Sequence, residues 1–162
     1  MEKKRQGIPI IGDTAALMRD PDFHVPAGGP PQGVGPSREI FDLMGEENIF
    51  RMCRDFYKEI EHSTIRPMFS PDLPAASEKI AAFLVGLFGG PPLYMQRFGN
   101  PMMRARHLPF AIDEAARQEW LRCFKATLVD AEVKYNFPKQ HLPGFITFLD
   151  EFSAWMVNRK KG

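Results

Sequence analysis

Cysteine is scarce in this chain: its 162 residues hold two, Cys53 and Cys123. Neither has a cysteine or histidine at zinc-site spacing, so free thiols are expected, with no structural disulfide and no zinc cluster. Net charge is nearly absent as well, +1 from 21 basic and 20 acidic residues. That balance gives no field to draw in nucleic acid or an anionic membrane, and neither is expected as a partner. Long apolar runs are missing too, since the stretch from Ile80 to Phe88 is too short to cross a bilayer. With no signal-peptide hydrophobic region at the start, the expected location is cytoplasmic. Finally, no segment alternates with period two over a useful length, which leaves an all-α fold.

What is present is proline, glycine and phenylalanine, at 15, 13 and 14 residues. From Pro26 to Pro36 eight of eleven residues are Pro or Gly, a composition that packs no core. Residues 1–36 therefore read as an N-terminal extension and residues 37–162 as the domain. Ser37 is placed to cap a short helix ending at Gly45. A helix over 46–62 follows, with Ile49, Met52, Cys53, Phe56, Tyr57 and Ile60 on one face at i, i+3, i+4, i+7, i+8 and i+11. Pro67 and Pro71 make a corner that turns Phe69 inward. A third helix over 73–88 has the stripe Leu73, Ala76, Ile80, Phe83, Leu84, Leu87 and Phe88, with Lys79 beside it. Asp113 caps a helix drawn as continuous to about Tyr135, with Trp120, Leu121, Phe124, Thr127, Leu128 and Ala131 facing in. The last helix, over 143–158, points Phe145, Phe148, Leu149, Phe152, Trp155 and Met156 at the core. Four main helices joined by Pro- and Gly-rich corners result.

Gly89 to Phe110 is the stretch the rest is arranged around. Gly89, Gly90, Pro91 and Pro92 end the preceding helix, and Pro109 stops the short one that carries His107. Arg104 and Arg106 precede that histidine, Tyr94 adds a phenol, and Met102, Met103, Leu108 and Phe110 form an apolar wall. A neutral imidazole suits axial ligation of haem iron, and guanidinium forks suit two propionates. On the helices around it, Tyr57 and Trp120 bring hydrogen-bond donors into surroundings of hydrocarbon. A buried phenol most often donates to a backbone carbonyl; a haem with a diatomic ligand would be another acceptor. His141, in a second His-Leu-Pro triplet, is a rival axial ligand without flanking arginines, while His24 and His62 read as surface residues.

Phe56-Tyr57, Gly89-Gly90-Pro91, Tyr94, the run Arg104-Ala105-Arg106-His107-Leu108-Pro109-Phe110, and Trp120-Leu121-Arg122-Cys123 stand in an order and spacing that resembles the truncated haemoglobins, most closely their second group. The resemblance covers about residues 38–158. It implies a two-over-two helical sandwich around haem b, with His107 as proximal iron ligand and Tyr57 and Trp120 as distal donors. Phe69 would pack on the porphyrin; Ile80, Phe83 and Leu84 would line the distal pocket; Met103 and Phe110 would touch the ring. Lys79, Tyr94 and Arg106 would meet the propionates. Two departures stand out: Asn100 occupies a position usually held by histidine, and Ala76 replaces the distal histidine of many globins. The implied ligands are oxygen, nitric oxide and carbon monoxide. Oxygen storage, nitric oxide dioxygenation or peroxide chemistry with a reductase, and gas sensing through the extension are the functions left open.

Overall fold

The computed structural model describes residues 22–31, 33, 35–107 and 110–160. Among them no strand forms, apart from one antiparallel bridge between Phe23 and Arg159. Eight α-helices follow in order: α1 (Ile40–Met44), α2 (Glu46–Glu61), α3 (Leu73–Leu87), α4 (Leu93–Phe98), α5 (Met103–His107), α6 (Glu114–Leu128), α7 (Ala131–Tyr135) and α8 (Leu142–Met156). Short 3-10 turns occupy Arg66–Met68 and Lys139–His141.

The four long helices, α2, α3, α6 and α8, make two layers of two. α2 packs most extensively on α3, then on α6, and α6 packs on α8. The six apolar residues expected on the inner face of α2 are all buried. Phenylalanines lock the layers together. Phe56 of α2 stacks on Phe124 of α6 with centroids 4.2 Å apart, and Phe124 meets the edge of Phe145 of α8 at 5.7 Å. Phe145 in turn touches Phe88 at 5.1 Å and Phe137 at 5.5 Å. Each such ring pair adds about 0.5–1.5 kcal/mol beyond the area it buries.

Besides α1, whose N-cap is Glu39 rather than Ser37, with Ser37 Oγ accepting the Glu39 N–H at 3.1 Å, three elements differ most from the sequence expectation. The helix drawn to Tyr135 breaks after Leu128, where Val129 is extended and Asp130 is left-handed at φ 58°. Thr127 Oγ1 donates back to the Cys123 carbonyl at 2.9 Å, which loosens the final turn, and Lys134 Nζ caps the Thr127 carbonyl at 2.9 Å. The break lets Tyr135 bury its ring and donate to Asp55 Oδ2 at 2.5 Å. Next, α4 is a helix inside a segment read as breakers; Pro92 stands at its N-cap, where a missing N–H does no harm. Lastly, the stripe expected on α3 is split. Of its members Leu84 and Phe88 are buried, beside Ala81 and Val85 from outside it, whereas Leu73, Ala76, Ile80, Phe83 and Leu87 stay half-buried.

The corner after α3 is set by close approach as well as by chain breaking. At Gly89, with φ +100°, an added Cβ would lie 1.9 Å from the Arg38 carbonyl oxygen; at Gly90 it would lie 2.6 Å from the Phe41 ring. The Phe41 N–H also donates to the Phe88 carbonyl at 2.9 Å, so α1 cannot withdraw cheaply. Gly89→Ala should therefore cost about 2–4 kcal/mol, a strained φ and a backbone clash together, as measured by urea unfolding. Asp113→Ala, which removes only the cap bond to Ala116 N at 2.8 Å, should cost about 1 kcal/mol.

Candidate functional site

His107 ends α5 and its ring is half-buried. Nδ1 lies 2.6 Å from the Met103 carbonyl oxygen, four residues back on the same helix. A carbonyl only accepts, so Nδ1 carries the proton and Nε2 keeps its lone pair. Among the described residues no hydrogen bond reaches Nε2. Burial pushes the imidazole below its ordinary pKa, against the Met103 bond and with help from the Arg106 charge, so the ring is neutral. A neutral imidazole held by Nδ1–H with Nε2 free is the form that ligates a metal.

Tyr57 sits on the inner face of α2, 9% exposed. Its ring is set edge-on to Phe56 at 5.1 Å and to Phe69, from the proline corner, at 5.7 Å. Its hydroxyl has no hydrogen-bond partner among the described residues, so the backbone acceptor expected for a buried phenol is not there. Burial raises its pKa, with Cys53 adding to the shift, and the hydroxyl remains a donor at neutral pH. Leaving such a group unpaired costs about 1–3 kcal/mol, which argues that its acceptor is something other than the protein. Trp120 of α6 meets Phe56 edge-on from the other direction at 5.7 Å, and its indole N–H likewise has no protein acceptor among the described residues.

Apolar side chains on several elements turn inward without being covered. Phe69, Ile80, Phe83, Trp120 and Phe148 pack against the core yet remain half-buried, and Met103 is half-buried on α5. Leu84 lies deeper, sealed at 2% exposure in the α2–α3 contact. Phe83 touches Tyr94 at 6.1 Å and Phe152 at 5.7 Å. A flat apolar cofactor with one metal ligand and one polar guest suits these groups, and the residues present fit a haem.

The three residues expected at the propionates converge along one edge. Lys79 Nζ stands 5.5 Å over the Phe98 ring, Phe98 packs on Tyr94 at 5.1 Å, and the Arg106 guanidinium covers the Tyr94 ring at 5.4 Å. Arg106 also ties its own loop: Nε donates to the Pro101 carbonyl at 2.6 Å, and Nη2 to those of Asn100 and Phe98 at 2.7 and 3.1 Å. Its Nη1 makes no hydrogen bond among the described residues. Phe98 is not among the residues expected here, although its position four residues after Tyr94 on a short helix is a readable signal.

Several expected neighbours stand elsewhere. Arg104 does not join the propionate edge, because its guanidinium is taken up by carbonyls at the end of α8 and in the extension. Met102 and Phe110 are 62% and 37% exposed, so neither forms an inner wall, though the Phe110 ring is 6.4 Å from that of His107. Leu108 and Pro109 lie outside the described residues. The rival His141 pairs with Glu39 at 3.1 Å, and His62 is exposed and bonded to the Lys58 carbonyl. Both cysteines are buried and free, as expected. The described residues hold no cluster of three or more His, Cys, Asp or Glu able to bind a metal, and no helix long and apolar enough to cross a membrane. A separate open cleft of about 500 Å³ is lined by Glu46, Glu47, Phe50, Arg54, Glu78 and Arg97, five of the six charged.

Comparison with known proteins bears on the family and the fold. Residues 39–157 match the model of the bacterial-like globins. A group 2 truncated haemoglobin of Bacillus subtilis is 40% identical over 86 residues, covering 52% of this chain and 65% of the relative. The two-on-two haemoglobin-3 of Arabidopsis thaliana is 31% identical over 96 residues, covering 57% of this chain and 55% of the relative. The chain thus spans between half and two thirds of the length of these curated relatives. Among solved structures it resembles phosphate-bound Hell's gate globin IV, with a TM-score of 0.74, 33% identity and 82% of each chain covered. It also resembles the truncated oxygen-avid haemoglobin from Bacillus subtilis, with a TM-score of 0.68 and 30% identity, covering 74% of this chain and 99% of that one. With the two-on-two architecture, the metal-ready histidine and the matched family model in agreement, the chain belongs to the bacterial-like globin family and, as a globin, is a haem-binding protein.

Proposed function

We propose that this chain holds haem b through His107 and binds dioxygen and related diatomic ligands, with Tyr57 and Trp120 as the donors that retain them. The observation that carries the reading is the Tyr57 hydroxyl, enclosed among rings and without a protein acceptor among the described residues. When bound, haem supplies a ferrous iron with affinity for oxygen, nitric oxide and carbon monoxide. The protein's part is separate from that chemistry. His107 offers Nε2, with its tautomer set by Met103; Phe69, Ile80 and Phe83 exclude water; Tyr57 and Trp120 donate to the polar guest. Lys79, Tyr94 and Arg106 form the edge that faces the propionates. Ala76 has no polar atom to offer, so retention falls to the phenol and the indole.

Two donors aimed at one guest favour slow release, in keeping with the oxygen-avid character given to the Bacillus subtilis relative. Slow release suits delivery poorly and suits conversion better, so nitric oxide dioxygenation is the activity we assign. Nitric oxide plus dioxygen plus one electron gives nitrate, and the electron must come from outside the chain, which makes a reductase the partner class. Simple storage would instead show ligand binding without turnover. Nitrate formation from nitric oxide and oxygen in the presence of a flavin reductase, measured against binding alone, separates the two readings.

A donor to a charge-bearing ligand contributes about 1.5–3 kcal/mol, and about 1.4 kcal/mol is a factor of ten. Tyr57→Phe should therefore speed oxygen dissociation by about ten- to hundredfold in stopped-flow measurements; an unchanged rate would remove Tyr57 from the distal role. His107→Ala should lose normal haem incorporation. If that variant kept a five-coordinate, histidine-ligated ferrous spectrum, the iron ligand would have to be another residue.

A further inference from the structure

Arg104 lies on α5 one turn before His107, and its bonds run to the end of α8 and to the N-terminal segment. Nη1 donates to the carbonyls of Trp155 and Val157 at 2.5 and 2.7 Å, and Nη2 to the His24 carbonyl at 2.8 Å. The guanidinium also stacks 4.7 Å over the Trp155 ring and lies 6.0 Å from the centroid of Phe23. Trp155 and Val157 close α8, where orphan carbonyls and the negative end of the helix dipole attract a cation. His24 belongs to the N-terminal segment, so one side chain joins α5, the end of α8 and the extension.

Asn158 makes the second junction, with no exposed surface. Its Nδ2 donates to the carbonyls of His107 at 3.2 Å and Phe110 at 3.0 Å, while Oδ1 accepts from the Ile112 N–H at 3.0 Å. Its own carbonyl accepts from the His24 N–H at 3.0 Å, and the Lys160 N–H donates to the Asp22 carbonyl at 3.0 Å. Segment 22–24 is therefore laid along residues 158–160, and that pair holds both ends of α5.

A helix of five residues has no stability of its own, so external bonds decide its orientation. α8 is the element on which α5 packs most. The His107 ring is bonded within α5, to Met103, so the imidazole turns with its helix as one body. We propose that Arg104 and Asn158, with segment 22–24 as the third jaw, form a clamp through which the N-terminal extension sets the angle of the His107 imidazole toward the haem iron. Arg104 and Asn158 are positioning residues and touch neither cofactor nor guest. The inference rests on His107 being the iron ligand. It makes part of the extension, through residues 22–24, a working part of the globin domain.

The test uses the full-length, haem-loaded protein in its ferrous, ligand-free form. Resonance Raman reads the iron–histidine stretching band; transfer of haem to excess apomyoglobin reads the grip; the C–O stretch of the carbon monoxide form reads the distal side. Arg104→Leu should shift or broaden the iron–histidine band and speed haem transfer by about three- to tenfold, leaving the C–O stretch in place. Arg104→Lys, which keeps the charge but loses the fork, should fall between Leu and the native residue. A double variant, Phe23→Ala with His24→Pro, deletes the Phe23 ring beside Arg104 and the His24 N–H bond to the Asn158 carbonyl, which loosens the third jaw without a substitution in α5, and should move the band in the same direction; it decides the matter if Arg104→Leu fails to fold. Native-like bands and transfer rates in the double variant would overturn the clamp, as would a C–O stretch that moved with the iron–histidine band. A native protein with no iron–histidine band would fail earlier, at the assignment of His107.

Discussion

The four long helices carry more inward-facing apolar surface than they can bury against one another, and that excess governs the molecule. α2 spends its inner face on α3 and α6. α3 spends only half of its own, through Ala81, Leu84, Val85 and Phe88, and leaves Ile80 and Phe83 half-covered. At about 25 cal/mol per Å² of apolar surface, an uncovered inner face is a standing cost that a flat apolar cofactor would remove. Alongside this excess stand polar groups without hydrogen-bond partners among the described residues: the Tyr57 hydroxyl, the Trp120 indole N–H and His107 Nε2. Hydrocarbon excess and unpaired donors thus point at one occupant.

Rigid and adjustable parts are divided between the two sides of this region. Tyr57 and Trp120 stand on long helices and both press against Phe56, which is stacked on Phe124 in the aromatic ladder. Their positions are as fixed as the core itself. His107 stands on a five-residue helix whose geometry is borrowed from backbone carbonyls, Asn158 and Arg104. Stability in this fold is therefore concentrated on the side of Tyr57 and Trp120. The side that would hold the iron depends on a few side-chain bonds, charge-assisted at Arg104 and neutral at Asn158, each set removable by one substitution.

Arginine is put to two uses that its chemistry separates well. Arg106 stitches the loop from Phe98 to Pro101 and still presents charge beside Tyr94, because its planar fork can serve carbonyls on one edge and an anion on the other. Arg104, two residues away, has its fork consumed by three carbonyls. A lysine in either place would supply charge without this planar spread.

Local patterning in the chain was enough for the all-α class, the four long helices, the burial of Tyr57 and the isolation of His107 on a clipped turn, because spacing at 3.6 residues per turn and proline or glycine breakers are local causes. Motif order extended that to a globin. Long-range packing decided the rest. The break after Leu128 arises where no proline or glycine stands, and it serves the bond of Tyr135 to Asp55, 80 residues away in sequence. The division of the α3 stripe depends on which neighbour covers which face. Arg104 and Arg106 read alike in sequence, yet one reaches the end of α8 and the other its own loop, since direction on a short helix is set by what packs beside it. Asn158, an ordinary polar residue near the C-terminal end, becomes a buried junction only once the chain after α8 lies against both the extension and the helix of His107.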